Sequence, residues 1–484
     1  MSFLLLLTTE RSAIAIAFTL LFAMASRVSV DPDMWWHLRL GEYILETGPP
    51  VYADAFSHTH AGLIHRNHSW LAQVVMVGLW RLAGHLGLTL FVSLLATGGM
   101  LFLYRAGAGS IYAQAYVLVI GAACAAAFWS PRPQMLTFFF SAVLIYILFE
   151  LKHNGRDRLW LLPPLLWLWG NCHGAFIIGF ALLGAFALGE WTNCRFSLGQ
   201  SRVPPRTIRK LLWITLLSLA LMPLNPLGIE VFAPPFDTIG IGGLREYIQE
   251  WQSPDFSQAQ SWGFILLLAA LFGAVSASRR RLDATESILV IGALCLALVS
   301  GRNLSLFAVV ATPIASIHLD EALSRKGWLI PRRISESPRR VAVNLTLIAL
   351  VALGAILHVE YVTSEKTVNR ALLLNFPVGA VRHLNASPLA GKLFNSYNWG
   401  GYLIFAARQH PVFIDGRTDL YRDFLDDYVT VVSADSWRSL FEKWDIRIVL
   451  IESTSNLAMR LDNAGDWRRE FNDDLASIFV RSDQ

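Results

Sequence analysis

Apolar stretches of membrane-span length recur along the first three quarters of the chain. A helix that crosses a bilayer core needs about 20 consecutive, mainly apolar residues. Only 16% of the 484 residues are charged, whereas a soluble domain usually carries about 25%. The sequence therefore predicts a polytopic helical membrane protein. The predicted spans are 12–30, 87–105, 111–130, 133–151, 158–171, 174–192, 207–224, 261–278, 285–301, 303–318 and 341–359.

The segment 69–84 decides the predicted topology. It is apolar but short, and Gln73 and Arg81 lie inside it. If it lies along the membrane surface, the basic segments all fall on one side, as the excess of Lys and Arg in cytoplasmic loops requires. We therefore predict eleven spans, a cytoplasmic N-terminus and one large outer loop, 31–86, that contains interfacial helices. The basic segments are 152–158, 195–210, 279–281 and 324–340.

The composition changes after residue 361. The runs HPVFIDG and IRIVLIES have the alternation and β-branched content of strands, and SADSWRSLFEKWD has a helical pattern. These features predict a membrane domain over 1–361 and a small soluble α/β domain over 362–484. An odd number of spans places that domain on the outer side.

The stretch DPDMWWHLRLGEYILETG (31–48) follows the first predicted span and carries two carboxylates two residues apart. One carboxylate before a helix is typical of an N-cap, but one cap needs only one. Two such groups suit a hard cation such as Mg²⁺ or Mn²⁺, and they equally suit a general base. His37 lies one turn beyond Asp33 on the same helical face. The catalytic candidates are therefore Asp31, Asp33 and His37, and the candidate metal ligands are Asp31 and Asp33.

The segment YADAFSHTHAGLIHRNH (52–68) holds four of the twelve histidines. An extended conformation would place Asp54, His58 and His60 on one face. Such a set can bind zinc, contact a substrate or phosphate, or simply make a loop polar, and no finger-type spacing supports zinc. The substrate-binding candidates in this segment are Asp54, His58, His60 and His68.

Further polar residues occur at the outer ends of predicted spans, where they are costly near hydrocarbon. Arginine binds phosphate through its planar fork, and it also extends its charged group to lipid headgroups. Arg132 and Arg302 support either interpretation. The motif GNCHG (170–174) sets Asn171 and His173 between small residues that permit close helix packing. The substrate-binding candidates at this level are Arg132, Gln134, Asn171, His173, Glu250 and Arg302.

The densest polar and aromatic stretch of the predicted outer domain is FNSYNWGGYLIFAARQHPVFIDGRTDLY (394–421). Gly400-Gly401 and the sequence IDGR are typical of turns. Turns alone do not require so many polar and aromatic side chains, and binding of a polar acceptor would explain them. The candidates here are Asn398, Trp399, Tyr402, Asp415 and Arg417.

These stretches resemble the GT-C superfamily of membrane glycosyltransferases, which use polyprenyl-phosphate-linked sugars. DPDMWWHLRLGEYILETG is similar to the Asp-Pro opening and following helix of oligosaccharyltransferase catalytic subunits. NWGGYLIF…VFIDGR is similar to their Trp-Trp-Asp-Tyr-Gly region, which touches the acceptor peptide. The resemblance implies that Asp31 is the metal-binding or catalytic aspartate and that Asp33 assists it. The acceptor segment departs from the pattern, because NWGGY (398–402) lacks the aspartate that holds a Ser or Thr hydroxyl.

The resemblance implies a GT-C-like helical domain in a prokaryotic cytoplasmic (inner) membrane. The implied activity is transfer of a hexosyl, pentosyl or oligosaccharyl group from a polyprenyl phosphate or pyrophosphate carrier to a lipid, glycan or protein on the outer face. A divalent cation is the implied cofactor. The implied partners are the lipid-linked donor and membrane lipid, and not nucleic acid, while homo- and hetero-oligomers both stay open.

Two other classes of protein fit the same sequence features. One is a catalytically silent scaffold with a GT-C-like fold, since function resides in a site and not in a fold. The other is a transporter or channel whose outer vestibule carries the same carboxylates. A transporter predicts charges at the membrane midplane and repeat symmetry, and the sequence shows neither clearly.

Overall fold

The computed structural model describes residues 8–198, 203–239, 247–328, 337–387, 389–422, 424–433 and 436–482. The chain divides into two compact units. The first comprises Met1–Arg27, Thr89–Leu224 and Gln249–Val362. The second comprises Val28–Leu88, Asn225–Ile248 and Thr363–Gln484. The second unit therefore combines the predicted outer loop with the C-terminal residues.

The first unit consists of helices at the positions of the predicted spans. In the described residues, seven helices are long and apolar enough to cross a membrane, and Ala284–Val299 is a shorter apolar helix. The predicted count of eleven spans stays a prediction. The α-helices are Thr9–Ala25, Ile111–Ala125, Gln134–Asn154, Leu162–Cys172, Ile177–Phe196, Pro205–Leu221, Trp262–Ala277, Ala284–Val299, Leu304–Arg325 and Pro338–Thr363. Short 3₁₀ turns are Ala126–Phe128, Leu159–Leu161, Gly174–Phe176, Gln249–Trp251, Ala259–Ser261 and Gly301–Asn303.

The segment 69–84 is helical, as part of a long helix, Trp70–Ala106, that is interrupted at Ala83 and Gly84. Gly84 has a φ of 54° and a ψ of −132°, a conformation that glycine adopts more readily than other residues. The interruption divides the short apolar piece that contains Gln73 from the following piece, which coincides with the predicted span 87–105.

Buried charges occur where three helices of the first unit begin or end. The Nζ atom of Lys152 lies 2.7 Å from Oδ2 of Asp283 and also binds Glu190. The hydroxyl of Thr285 donates to the Glu190 carboxylate over 2.7 Å. Lys152 and Glu190 are 3% and 0% exposed, so their charges depend on one another for stabilisation.

The second unit begins with the helix Pro32–Thr47, which we call the aspartate helix. It is followed by an antiparallel pair of short strands, β1 (Val51–Ala53) and β2 (Ile64–Arg66). The other helices in the described residues of the unit are Ala233–Ile239, Glu365–Asn375, Val378–Ala386, Tyr397–Ala406, Thr418–Tyr421, Phe424–Ser433, Trp437–Trp444 and Asn456–Asp462, and Gly228–Phe232 is a 3₁₀ helix.

The C-terminal residues form a four-stranded mixed sheet. Its strands are β3 (Lys392–Asn395), β4 (Ile446–Glu452), β5 (Trp467–Asn472) and β6 (Ala476–Arg481), in the order β3-β4-β6-β5. β3 and β4 are parallel, and the other two pairs are antiparallel. Phe394, Val449 and Phe479 from three of these strands belong to one buried core with side chains of the surrounding helices.

Two local predictions for the C-terminal region are confirmed and one is wrong. IRIVLIES forms β4, and the described part of SADSWRSLFEKWD contains the helix Trp437–Trp444. HPVFIDG is not a regular strand. Its one bridge joins Val412 to Ser57, and the N–H of Phe413 donates to the Asn395 side chain, so its backbone groups are satisfied outside a ladder.

Candidate functional site

The two motif aspartates lie at the start of the aspartate helix, where Pro32 occupies the first turn and contributes no N–H donor. Oδ1 of Asp31 accepts a hydrogen bond from the N–H of Asp33 over 2.9 Å and caps the helix. Oδ1 of Asp33 accepts a hydrogen bond from the indole N–H of Trp36, also over 2.9 Å. Both aspartates are partly exposed. The Asp31 carboxylate therefore caps the helix, and the indole of Trp36 orients the Asp33 carboxylate.

Two glycines of the C-terminal region allow its backbone to approach this helix start. A Cβ at Gly416 would lie 2.2 Å from Oδ1 of Asp33 and 2.8 Å from the indole nitrogen of Trp36. A Cβ at Gly401 would lie 2.7 Å from the backbone oxygen of Pro32. Gly400 and Gly401 belong to the helix Tyr397–Ala406, so the expectation of a turn there is wrong. They are glycines because the space beside them is filled.

His37 faces the interior of the second unit. It is 6% exposed, and its Nδ1 lies 3.0 Å from the amide nitrogen of Gln73, which is fully buried. The side chain of Asn67 donates in turn to Gln73 over 2.6 Å. This arrangement attaches the aspartate helix to the first part of Trp70–Ala106.

The predicted residues Asp54, Asp415 and Arg417 form a buried ion cluster. Nε and Nη2 of Arg417 donate to the two oxygens of Asp415 over 2.9 and 2.7 Å, as a planar fork. Nη1 donates to Asp54 over 2.6 Å. The hydroxyl of Tyr421 donates to Asp415 over 2.8 Å, and that of Ser57 donates to Asp54 over 2.6 Å. Arg417 is 1% exposed, so this network is fully internal.

The electrostatics of the cluster favour the charged forms of its members. Burial on its own raises the pKa of Asp54, but the charge of Arg417 and the hydrogen bonds from Ser57 outweigh it, and the pKa lies below the usual value. Burial on its own lowers the pKa of Arg417, but Asp415, Tyr421 and Asp54 raise it well above its usual value.

The histidines of the outer loop are distributed over separate contacts. His58 Nε2 is 2.9 Å from the backbone oxygen of Leu393, and the His60 ring is 4.7 Å from that of Tyr421. Burial lowers the pKa of both imidazoles. His68 Nδ1 lies 4.0 Å from Oδ2 of Asp419.

The expectation that Asp54, His58 and His60 share an extended face is wrong. The carboxylate of Asp54 accepts the N–H groups of Phe56 and Ser57, which folds the segment into a turn. An aspartate that bonds to the backbone two and three residues ahead competes with strand pairing. β1 and β2 therefore flank this turn.

The predicted acceptor residues on the helix Tyr397–Ala406 differ in exposure. Asn398 is exposed. Trp399 is 3% exposed and donates its indole N–H to the backbone oxygen of Asn375 over 3.2 Å. The ring of Tyr402 packs edge-on against that of Trp35, with centroids 5.2 Å apart. Of these three, Asn398 is the one accessible to an acceptor.

In the first unit, three of the predicted residues come together. Glu250 binds Arg132 directly and lies 3.9 Å from Nε of Arg302. The guanidinium of Arg302 is 4.4 Å from the ring centre of Trp251. Burial on its own raises the pKa of Glu250, but the two arginines outweigh it and the pKa lies below the usual value. Glu250 is therefore a shared counter-ion of the two guanidinium groups.

Gln134, Asn171 and His173 also belong to the first unit. The amide of Gln134 donates to the backbone oxygen of Phe128 over 3.1 Å. His173 Nδ1 is 2.8 Å from the hydroxyl of Thr137, one turn beyond Gln134 in the same helix. Asn171 donates to the backbone oxygen of Trp167 over 2.8 Å. These three therefore support helix ends and the segments between them.

The described residues contain no group of three or more His, Cys, Asp or Glu side chains arranged to hold a metal ion. Asp31 and Asp33 supply two carboxylates. Mg²⁺ is commonly bound by one or two carboxylates together with substrate phosphates and water. The pair therefore fits a cation site that the donor phosphate completes.

Sequence reasoning missed the residues that position the aspartates. Gly416, which lies beside Asp33, and Trp36, which donates to it, were not among the candidates. The alternation of polar and glycine residues in IDGRTD was the available signal, but it is equally typical of any turn. Gly416 became informative only when Asp33 was known to lie beside it.

Comparison with solved structures identifies the fold. Residues covering 92% of this chain superpose on 70% of the Archaeoglobus fulgidus oligosaccharyltransferase in its apo form, with a TM-score of 0.58 and 13% identity. The complex of AglB from the same organism with an inhibitory peptide and a dolichol-phosphate gives 0.57 and 12%, over 92% of this chain and 70% of that one. ArnT from Cupriavidus metallidurans bound to undecaprenyl phosphate gives 0.50 and 16%, over 97% of this chain and 96% of that one.

The chain therefore has the fold of the GT-C membrane glycosyltransferases, with membrane-spanning helices and a small C-terminal sheet domain. This confirms the predicted fold class and the predicted resemblance. At the level of sequence, no family model matches the chain, and no curated protein matches it.

Proposed function

We propose that the protein transfers a sugar from a polyprenyl phosphate or pyrophosphate carrier to an acceptor hydroxyl or amide on the outer face of the membrane. The observation that carries this proposal is the partly exposed pair Asp31 and Asp33, oriented by Trp36 and closely covered by Gly416, in a chain with the GT-C fold. The solved structures with dolichol-phosphate and undecaprenyl phosphate support the class of donor.

The proposed reaction is a single displacement. The acceptor atom attacks the anomeric carbon of the sugar, the bond from that carbon to the carrier phosphate breaks, and its electron pair leaves with the phosphate. A carboxylate of the Asp31 and Asp33 pair takes the proton of the acceptor as general base. Asp33 is the better placed for this role, since Asp31 caps the helix. We assign His37 a positioning role, because it contacts Gln73 inside the unit.

We assign the binding of the carrier phosphate to Arg132 and Arg302. Glu250 binds Arg132 and lies 3.9 Å from Nε of Arg302, so one carboxylate orients both guanidinium groups. Positive groups stabilise the negative charge that develops on a leaving phosphate. Gln134 is the first residue of the helix that follows Arg132, and we propose it as a further contact to the carrier phosphate.

A divalent cation, when bound by Asp31, Asp33 and the donor phosphate, would supply further charge stabilisation for the leaving group. The roles that we propose for residues of the chain itself are general base, helix cap and phosphate ligands. The acceptor is proposed to approach along the exposed side of the helix Tyr397–Ala406, where Asn398 is accessible.

The test is release of carrier phosphate by the full-length protein in proteoliposomes. A panel of polyprenyl phosphate and pyrophosphate donors with different sugars is offered with membrane extract as the source of acceptor. The proposal predicts that carrier phosphate is released from at least one donor and that the release depends on the acceptor. Loss of release in EDTA and its recovery with Mg²⁺ or Mn²⁺ would identify the cation. Absence of release from every donor would favour the silent scaffold.

A further inference from the structure

The helix Pro205–Leu221 carries a basic and aromatic groove that the proposed reaction does not use. It is a shallow, open surface formed by one helix, and it is lined by Arg206, Arg209, Lys210, Trp213, Ile214 and Leu217. These positions recur at intervals of three and four residues, so they follow one face of the helix over about 16 Å. We call this face the basic groove.

The chemistry of the basic groove changes in order along the helix. The first turns contribute three cations, the next turn contributes Trp213, which is 72% exposed, and the last contributes Leu217, which is 51% exposed. A phospholipid presents the same order: an anionic headgroup, an interfacial glycerol region and aliphatic chains. Trp is enriched at that interfacial level. The length of the face is about half the thickness of a bilayer core, which is the depth of one leaflet.

The charge of the groove is not neutralised by the protein. Lys210 Nζ binds Oδ2 of Asp157 over 2.5 Å. Within the described part of the chain, Arg206 and Arg209 make no ion pair. Three cations against one carboxylate leave a charge of +2, which complements one or two phosphate groups. An arginine pair at a membrane surface binds phosphate through planar forks.

We infer that the basic groove binds an anionic phospholipid, with its phosphate on Arg206 and Arg209 and its acyl chains along Trp213, Ile214 and Leu217. Basic pockets between helices on the cytoplasmic side of membrane proteins recognise such headgroups. The groove lies at the basic end of its helix, which the distribution of Lys and Arg assigns to the cytoplasmic side. The lipid-linked donor is proposed to act on the outer face, so this is a second lipid site with its own ligand.

The test compares lipid retention by the full-length wild type and the double variant Arg206→Gln/Arg209→Gln. Each protein is equilibrated in nanodiscs that contain phosphatidylcholine with phosphatidylglycerol or cardiolipin, and retained lipid is measured by native mass spectrometry after release. The matched control is Arg339→Gln/Arg340→Gln, which removes the same charge from the exposed first turn of another helix, Pro338–Thr363.

We expect wild type and control to retain anionic phospholipid in preference to phosphatidylcholine. We expect the groove variant to bind it about 30-fold more weakly, which corresponds to roughly 1 kcal/mol for each arginine. Equal retention by the groove variant and wild type would overturn the inference. Displacement of the retained phospholipid by low concentrations of polyprenyl phosphate would overturn the assignment of the groove to a phospholipid. The measurement of retained lipid does not depend on turnover.

Discussion

The guanidinium of Arg417 donates to the carboxylate of Asp54 across 363 positions of sequence, with 2.6 Å between Nη1 and Oδ1. Asp415 holds the other side of the same guanidinium. Gly416 lies between Asp415 and Arg417 in the chain, and its backbone approaches Asp33 and Trp36. The buried ion cluster therefore fixes the backbone that covers the candidate catalytic carboxylate.

Replacement of Arg417 tests the contribution of this cluster to stability. We expect Arg417→Met to destabilise the second unit by about 3–5 kcal/mol, because it leaves two buried carboxylates without a counter-ion. Arg417→Lys keeps the charge but loses the planar fork, so we expect an intermediate loss. Thermal unfolding and protease resistance of the purified protein measure both.

The matched control for Arg417 is Arg438→Gln. Arg438 pairs with Asp466 at the surface of the same unit, and its side chain is 52% exposed. Exposed pairs contribute about 0–1 kcal/mol. An Arg417→Met protein as stable as the control variant would contradict the structural role of the cluster.

Substitution of Gly416 separates the orientation of Asp33 from the stability of the fold. We expect Gly416→Ala to displace the Asp33 carboxylate and break its hydrogen bond from Trp36, because the new Cβ would lie 2.2 Å from Oδ1. The expected results are changed Trp fluorescence and at least tenfold lower turnover, with a small change in melting temperature. Gly465→Ala is the control, since nothing lies within 4 Å of its Cβ position. Unchanged turnover in Gly416→Ala would contradict the requirement that the Asp33 carboxylate keeps its hydrogen bond from Trp36.

The stability of the second unit is expected to fall in two steps as the pH falls. Burial lowers the pKa of His58 and His60, so their contribution is present above about pH 6.5, the usual pKa of histidine, and is lost below it. Burial raises and Arg417 lowers the pKa of Asp54, with a net decrease. Its contribution is present above about pH 3.9 and is lost as the pH falls further.

Protease resistance of the second unit between pH 8 and pH 3 measures both steps. The double variant His58→Gln/His60→Gln should show a smaller upper step and keep the lower one, because burial also lowers the pKa of His85 and His410 in the same unit. An upper step as large as that of the wild type would contradict the contribution of His58 and His60.

A separate prediction concerns the buried charges of the first unit. We expect Lys152→Met to destabilise that unit by about 3–5 kcal/mol, because Glu190 and Asp283 then remain buried without their cation. The control is Lys210→Gln, whose pair with Asp157 is half exposed. Melting temperatures in one detergent provide the comparison, and a smaller loss for Lys152→Met than for Lys210→Gln would contradict the account.

Much of the helical architecture was predictable, because a membrane span is encoded by a long local run of apolar residues. The strand β4 and the helix Trp437–Trp444 were predictable from local pattern as well. HPVFIDG was not, because its backbone bonds to Phe56, His58 and Asn395, which are distant in sequence. Tertiary pairing of this kind overrides a local strand preference.

The candidate site was predictable only in part. Two carboxylates around a proline indicate a helix start, and Asp31 indeed caps the aspartate helix. The partners of Arg417 were not predictable, because a buried ion pair leaves no local pattern. Gly401 was interpreted as a turn residue, but it is a helical residue whose missing side chain admits the backbone of Pro32.

The most direct test of the proposed function is carrier phosphate release by Asp31→Asn and Asp33→Asn. The control is Asp255→Asn, an exposed aspartate that accepts hydrogen bonds from Ser257 and Gln258 within its own turn. At equal protein in proteoliposomes with the active donor, we expect the control to match wild type. We expect at least one of the two motif variants to lose about 100-fold or more of its turnover, the contribution of a general base. Wild-type turnover in both motif variants would contradict the assignment of the catalytic carboxylates.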